Sequence, residues 1–238
     1  MPANSKKEII ICADDFGISP GVSKGILELA EKEKISATSV MVNFDDWKQE
    51  AKRLIEFDER IDIGLHFTLT GANPLSKPDK ITSLINSDGS FLTLGKFIKK
   101  CILKNLDAED VKREFLKQFD SFVDYFGFAP RYIDGHHNVH QYNVVNKALL
   151  EVFREKRHIH KFYVRNTAVP FQKAFRQGSN FFKAYSISLF GNPYKNLLEK
   201  IGIPTNSSFM GVYDWKQPEL FSKNFKRFVR YSSFKNGI

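Results

Sequence analysis

The chain has 238 residues, 42% hydrophobic and 26% charged, with a formal net charge of +9 at pH 7. No apolar run approaches the ~18 residues that a membrane helix needs. Its two cysteines are too few to hold together a fold of this size. These features exclude the membrane-spanning and disulfide-stabilised classes and predict one reduced, cytoplasmic, globular domain over residues 1–238.

The positive charge is concentrated in the last third of the chain. Residues 161–238 contain thirteen Lys/Arg and three Asp/Glu, a net of +10, whereas residues 1–160 contain 23 Lys/Arg and 24 Asp/Glu. Such a basic half can bind nucleic acid or an anionic surface. We favour a solvated basic face, because the sequence has no RNP-type aromatic motif, zinc finger or uninterrupted Lys/Arg block. We therefore expect neither nucleic acid nor a membrane as a partner.

Short β-rich runs alternate with amphipathic helical stretches, a pattern typical of successive βα units and of the α/β class. The run Glu8–Ala13 predicts a first strand that is buried on both faces. A loop over Asp14–Pro20 follows, in which Ser19 caps a helix that begins at Pro20. The apolar stripe of this helix is predicted to contain Val22, Ile26, Leu29 and Ala30.

Further strands and helices alternate up to residue 164, after which Gly178, Gly191, Pro193 and Pro204 are predicted to interrupt the pattern. The stretch 71–95 is rich in Pro, Gly, Ser and Asn. It is predicted to be a loop insertion that overhangs a site, because loops of this length tend to be functional. The remaining predicted strands are Ala37–Val42, Ile61–Phe67, Arg131–Asp134 and Lys161–Val164, and the remaining helices are Asp45–Phe57, Asp107–Gly127, Val144–Lys156 and Pro218–Phe234.

Potential metal ligands follow three of the predicted strands. Asp14 and Asp15 follow the first, His66 ends the third, and the segment Gly135–His140 after the fourth contains three histidines. Taken singly, the aspartates also suit a turn or helix cap, and His66 suits a hydrogen-bonded core position. In parallel α/β folds, however, the carboxyl ends of the strands build the active site. The recurrence at these ends therefore favours a metal site of two histidines and one carboxylate, with open positions for water and substrate.

Four segments, in this order, resemble the motifs of the YdjC/ChbG-type carbohydrate deacetylases. They are Ile11–Gly17 with Ser19-Pro20-Gly21, Thr38–Asn43, Gly64–Gly71, and Pro130 with Ile133–His140. The resemblance covers residues 9–140 and is specific for the family but not for the substrate. It implies a distorted, TIM-like (β/α) barrel that uses one divalent metal ion to remove acetyl groups from N-acetylated sugars such as chito-oligosaccharides.

The resemblance also implies roles for individual residues. Asp15, His66 and His136 match the metal ligands of the family, and Asp14 matches its general base. His140 and His137 are the nearby candidates for a general acid, and we favour His140 because His137 could instead orient a ligand. Two histidines and one carboxylate suit Zn, Mn or Fe, and the family is often described with Mg. We expect Mg²⁺ or Zn²⁺.

The chain departs from the family pattern in two places. Gly135 and Asn138 replace the serine and the middle histidine of Asp-Ser-His-x-His-x-His, which removes expected support around His136. The chain also stops at Ile238, about where family members continue into a strand with a His-Pro-Gly-like segment. We therefore expect either a barrel that is incomplete at its C-terminus or one whose gap another element or subunit covers. The alternative function is a catalytically impaired barrel that binds metal and sugar. The resemblance also implies a homodimer.

Overall fold

The structure, a computed structural model, describes residues 9–175, 181–213 and 217–232. Ile10–Val164 forms one compact unit, and the described residues from Arg165 onward belong to a second. The first unit holds the sheet and every predicted site residue. The single domain over residues 1–238 stays a prediction.

Strands and helices alternate throughout the first unit, as the sequence pattern predicts. Short 3₁₀ turns lie between these elements, over Ile55–Phe57, Pro78–Lys80 and His136–Gln141. The strands and helices are β1 (Cys12–Phe16), α1 (Pro20–Glu31), β2 (Ala37–Val40), α2 (Trp47–Leu54), β3 (Asp62–Phe67), α3 (Leu94–Ile102), α4 (Ala108–Phe126), β4 (Tyr132–Gly135), α5 (Asn143–Lys156) and β5 (Tyr163–Val164).

The five strands form one parallel sheet in the order β1-β2-β3-β4-β5. Each strand thus pairs with its neighbours in sequence, as in a (β/α) barrel, whereas doubly wound sheets reverse their strand order. Side chains of β1 and β4 touch across the interior, since Cys12 Sγ lies 2.8 Å from the Tyr132 hydroxyl. In a flat sheet these strands would be about 14 Å apart, three interstrand spacings. The sheet is therefore curled, and the α/β, TIM-like fold class is confirmed.

Helix α4 supplies much of the core. The side chain of Asp107 caps its first turn by accepting a hydrogen bond from the Glu109 N–H, and Gly127 ends it with a left-handed φ of 76°. Phe115 packs edge-to-face on Phe67 of β3, with ring centroids 5.2 Å apart. Burying one such side chain contributes about 1.5–3 kcal/mol. The predicted apolar face is buried throughout, over Val111, Phe115, Phe119, Phe122 and Phe126.

Helix α4 also anchors the start of the long loop after β3. The fully buried carboxylate of Glu114 accepts hydrogen bonds from the backbone N–H groups of Leu75 (3.0 Å) and Ser76 (2.9 Å). The Gln118 amide accepts from the Thr68 N–H and donates to the Thr68 carbonyl, at 2.9 and 2.7 Å. Buried polar groups need hydrogen-bond partners. The bonds from Glu114 and Gln118 thus hold the backbone of the loop at Thr68, Leu75 and Ser76.

Strand β1 lies later in the chain than the prediction Glu8–Ala13. Its register with β2 runs from Cys12 opposite Ala37 to Phe16 opposite Val40. Ile9 and Ile10, which suggested an earlier strand, are about 40% exposed. The strand forms where β2 offers hydrogen-bond partners, which need not coincide with the most apolar run.

One local prediction in the first unit was wrong in part, and one helix was not predicted. In α1, Val22 and Leu29 are exposed, and the buried stripe is Ser23, Ile26, Leu27 and Ala30. Ile26 and Ala30 are buried as predicted, but Ser23 and Leu27 complete the buried face in place of Val22 and Leu29. Helix α3 was not predicted, because the segment Leu94–Ile102 directly follows a Gly-, Ser- and Asn-rich stretch and buries only Phe97.

The second unit contains helices α6 (Phe171–Phe175), α7 (Phe181–Lys200) and α8 (Phe221–Ser232). Helix α7 continues through Gly191 and Pro193, so these residues do not interrupt the chain as predicted. Packing of its buried face, which includes Tyr194, outweighs their low helix propensity. Gly178 lies outside the described residues, as does the predicted end of α8 at Phe234. None of the helices in the described ranges combines the length and apolar character needed to cross a bilayer.

Candidate metal centre

Three strands of the first unit deliver ligand-type side chains to one point at their carboxyl ends. Asp15 comes from β1, His66 from β3, and His136 directly follows β4. Asp15 Oδ1 lies 2.9 Å from His136 Nδ1 and 3.1 Å from His66 Nε2. One ligand atom from each residue lies within 4.8 Å of the other two. The structure thus assembles the predicted set of two histidines and one carboxylate.

Asp14 and Asp15 both reach this region because β1 is irregular. Consecutive residues of a regular strand point to opposite faces. Here the register with β2 shifts within the strand, and Asp15 has a left-handed φ of 67°. Asp14 lies near Asp134, Asp15 lies near His66, and Asp134 and His66 are themselves bonded. A non-glycine residue in this conformation costs on the order of 1 kcal/mol, and the bonds to two imidazoles offset it.

His66 is oriented by buried residues of the strands on either side. Its Nδ1 lies 2.6 Å from Asp134 Oδ1 and 3.0 Å from Ser39 Oγ, and that hydroxyl donates to Asp134 Oδ2 at 3.1 Å. A carboxylate at Nδ1 leaves Nε2 as the ligand atom, an arrangement found in most metal-binding histidines. Sequence reasoning missed Asp134 and Ser39. The position of Asp134 in β4, directly before Gly135-His136, is the signal that could have identified it.

These contacts set the protonation of the metal-free centre. Burial opposes a charged His66, but the charge of Asp134 and hydrogen bonds with Asp134 and Asp15 raise the pKa of His66 to about 10. Burial also favours a neutral Asp15, yet hydrogen bonds with His136 and His66 hold the pKa of Asp15 well below its usual range. A proton therefore occupies His66 Nε2 in the metal-free protein, and a metal ion must displace it.

Asp14 lies in an adjoining cluster. The Cys12 thiol donates to Asp14 Oδ1 at 3.1 Å, and the Tyr132 hydroxyl lies 2.8 Å from the same sulfur. Cys12 and Asp14 each place an atom within 4.8 Å of Asp134. Gly64 makes this arrangement possible, because a Cβ there would lie 2.5 Å from the Tyr132 ring. The predicted base thus lies next to the ligand set and is held by its own hydrogen bond.

The three histidines after β4 have different surroundings. His136 joins the ligand set, while the ring of His137 lies 3.9 Å from that of His136 and its Nδ1 lies 3.0 Å from Thr70 Oγ1. His140 is fully buried against Gly135, where a Cβ would lie 2.6 Å from the His140 Nδ1. Gly135, which departs from the family pattern, thus makes room for His140. The general-acid role of His140 stays a prediction.

The residues present fit a divalent cation. One carboxylate oxygen and two imidazole nitrogens are a donor set used for Zn, Mn and Fe, and Asp134 supplies the hydrogen bond that orients a ligating histidine. Asp15 and His136 are only partly buried, which leaves space for water and substrate at the same point.

Comparison with known proteins places the chain in a family. The profile of the YdjC-like protein family matches residues 8–237. The chain is 33% identical over 147 residues to a carbohydrate deacetylase of Clostridium beijerinckii, covering 62% of this chain and 56% of that protein. It is 37% identical over 136 residues to a chitooligosaccharide deacetylase of Serratia marcescens, covering 57% and 51%. The chain thus spans about half the length of these curated relatives.

A solved structure shares the fold. It is described as a cellobiose-phosphate cleavage protein of Enterococcus faecalis V583, with a TM-score of 0.74 over 98% of this chain and 78% of that one. At 23% identity, this likeness shows the fold alone. The family profile, in contrast, covers nearly the whole chain. The resemblance seen in the sequence is confirmed, and the chain belongs to the YdjC-like family.

Proposed function

We propose that this chain is a metal-dependent hydrolase that removes N-acetyl groups from amino sugars or chito-oligosaccharides. The observation that carries the proposal is the convergence of Asp15, His66 and His136 at the carboxyl ends of three strands, with Asp14 beside them. The names of the relatives, carbohydrate deacetylase and chitooligosaccharide deacetylase, support it. We further propose Mg²⁺ or Zn²⁺ as the metal, which elemental analysis of protein never exposed to a chelator would identify.

Amide hydrolysis makes three demands on a site. An amide is a poor electrophile with a poor leaving group, so the site must activate water, stabilise negative charge on the carbonyl oxygen and protonate the departing amine. Asp15, His66 and His136 would hold a divalent cation, and its Lewis acidity would lower the pKa of water and polarise the carbonyl. Asp134 and Ser39 keep the His66 ring in its binding orientation throughout.

The proton transfers fall to side chains beside the ligand set. Asp14 takes the proton of the attacking water as the water oxygen bonds to the acetyl carbon. Its hydrogen bond with Cys12 holds one carboxylate oxygen in place. As the C–N bond breaks, His140 or His137 donates a proton to the nitrogen, so that acetate and a free amine leave. A positioned acid or base of this kind contributes about 10²–10⁴-fold to the rate.

The test is acetate release from N-acetylglucosamine oligomers by protein loaded with Mg²⁺, Mn²⁺ or Zn²⁺. We expect Asp14→Asn to lower the rate by about 10²–10⁴-fold. Asp79→Asn, at an exposed aspartate of the loop after β3, is the matched control and should keep the full rate. If no metal supports release, or Asp14→Asn releases acetate at the wild-type rate, the proposed mechanism is wrong. Metal and sugar binding without acetate would instead support the catalytically impaired barrel.

A further inference from the structure

A second group of ligand-type side chains lies beside the candidate metal centre. Cys12, Asp14 and Asp134 each offer one ligand atom, and these three atoms lie within 4.8 Å of one another. Cys12 and Asp14 belong to β1, whereas Asp134 belongs to β4. The ligand set of the candidate metal centre contains none of these residues, so the two groups are separate sets of donors.

The spacing of the second group suits a single ion. With a metal–sulfur distance of about 2.3 Å and metal–oxygen distances of about 2.1 Å, the ligand atoms of a tetrahedral ion are about 3.4–3.6 Å apart. Cys12 Sγ and Asp14 Oδ1 are 3.1 Å apart. No two of the three ligand atoms are more than 4.8 Å apart. Side-chain movements of about 1 Å would therefore place all three on one ion.

Asp134 is the buried member of the group, and its position is fixed. Its oxygens bond with His66 Nδ1 at 2.6 Å and with Ser39 Oγ at 3.1 Å. A carboxylate has about four acceptor sites, so these two bonds are compatible with a further bond to a cation. Cys12 and Asp14 are only partly buried, which gives a cation and its bound water access to the group.

Charge favours a second cation once the first centre is filled. A cation at the first centre displaces the proton of His66, which then no longer balances the charge of Asp134. The carboxylates of Asp14, Asp15 and Asp134 together outweigh one divalent cation. Uncompensated charge in a partly buried region is costly, and a second cation would compensate it.

The donor atoms select the kind of cation. A thiolate is a soft ligand that favours Zn²⁺ and similar thiophilic cations such as Cd²⁺, whereas Mg²⁺ binds through oxygen. We propose that Cys12, Asp14 and Asp134 form a second metal site, which takes a thiophilic divalent cation. The Cys12 sulfur loses its proton to solvent as its bond to the cation forms. Mg²⁺ fills only the first centre.

Filling the second site has a consequence for turnover. A carboxylate that is bound to a cation no longer accepts the proton of an attacking water, and Asp14 is the base of the proposed reaction. Excess Zn²⁺ or Cd²⁺ therefore inhibits the enzyme. This consequence rests on the proposed function, whereas the binding itself does not.

Titration of the Mg²⁺-loaded protein with Cd²⁺ in thiol-free buffer tests the binding. A cadmium–thiolate bond has an ultraviolet charge-transfer band that nitrogen and oxygen ligands do not produce, so Cd²⁺ at the first centre does not contribute to it. We expect the wild type to develop this band and Cys12→Ser to lose it. Cys101→Ser removes the other cysteine of the chain and should keep the band as the matched control. A band that is absent from the wild type, or that survives Cys12→Ser, would overturn the site.

A second variant distinguishes a three-ligand site from a single reactive thiol. Asp14→Asn keeps the thiol and removes one carboxylate, so the Cd²⁺ concentration at half-saturation of the band should rise by more than about tenfold. Asp79→Asn, at an exposed aspartate of the loop after β3, should leave this concentration unchanged. Equal Cd²⁺ affinity in Asp14→Asn and the wild type would show that Cys12 binds alone and would overturn the site.

Activity separates this inference from the proposed function. Half-inhibition of acetate release should need at least about tenfold more Cd²⁺ in Cys12→Ser than in the wild type, each relative to its own rate without Cd²⁺. Equal inhibition of the two proteins would overturn the inhibitory role. The charge-transfer band without acetate release by any metal form would keep the site and reject the deacetylase. Acetate release by a wild type that shows no band would keep the deacetylase and reject the site.

Discussion

The two compact units differ in how completely their side chains are buried and paired. In Ile10–Val164, Phe119 is 1% exposed, and even the buried carboxylate of Glu114 has its hydrogen-bond partners. In the second unit, Phe171, Phe175 and Phe182 are 60%, 67% and 81% exposed. The parallel strands of the first unit bring together segments that are far apart in sequence, and this determines which side chains are buried. The helices described in the second unit leave aromatic rings on the surface instead.

The units also differ in charge and chemistry. The candidate ligand set and Asp14 both belong to the first unit, whose part of the sequence is nearly neutral. The second unit is strongly basic and contains no histidine. The comparison teaches that the candidate site depends on buried contacts between residues far apart in sequence. Four predictions test this point.

The largest expected effect contrasts one phenylalanine from each unit. We expect Phe119→Ala to lower the free energy of unfolding by about 3–5 kcal/mol, because it leaves a cavity between α4 and its neighbours. Phe182→Ala should change it by less than about 0.5 kcal/mol, because the ring is exposed. Denaturant unfolding of both variants measures the difference. A cost at Phe182 as large as that at Phe119 would show that the two units are equally well packed.

The next effect concerns the ligand set. His66→Ala should weaken metal binding by more than about 100-fold, because one of three ligands is lost. The exposed His158 of the same unit is a matched control, and His158→Ala should bind as the wild type does. Metal content after dialysis against a fixed free-metal concentration measures both. Full metal content in His66→Ala would place the metal elsewhere.

Replacing Asp134 should have a smaller effect on metal affinity, and this effect should depend on pH. We expect Asp134→Asn to weaken metal binding by about 10–100-fold. Because the pKa of His66 is raised to about 10, the wild type should release this proton when metal binds at about pH 8, and its affinity should rise with pH. The variant lacks the charge that raises this pKa, so it should release fewer protons. Calorimetry in two buffers of different ionisation enthalpy counts them, and equal counts would contradict the assignment.

The smallest effect compares two glycines. Gly64→Ala should lower the free energy of unfolding by about 1–3 kcal/mol, because the new methyl group would overlap the Tyr132 ring. Gly25→Ala, in α1 with nothing near its Cβ position, should raise it by up to about 1 kcal/mol. Thermal and denaturant unfolding measure both changes. Similar values for the two variants would mean that Tyr132 can move away, and that its bond with Cys12 is not fixed.

Long, strongly periodic elements were predictable from the sequence. Helix α4 has its phenylalanines at helical spacing and lies within one residue of its predicted ends. β1 was displaced because strand limits depend on a partner that local hydrophobicity does not reveal. Helix α7 continues through Gly191 and Pro193 for a similar reason, because packing against distant residues outweighs local helix propensity.

The sequence by itself determined the alternating α/β pattern and the motifs of the family, and the resemblance to that family singled out Asp15, His66 and His136 as one candidate set. It could do so because strand ends and ligand types are local features. Only the tertiary structure showed that a shifted register brings Asp14 and Asp15 into two adjoining clusters, and that Asp134 and Ser39 orient His66. These arrangements depend on contacts between strands far apart in sequence, which are decided only when the sheet curls and packs.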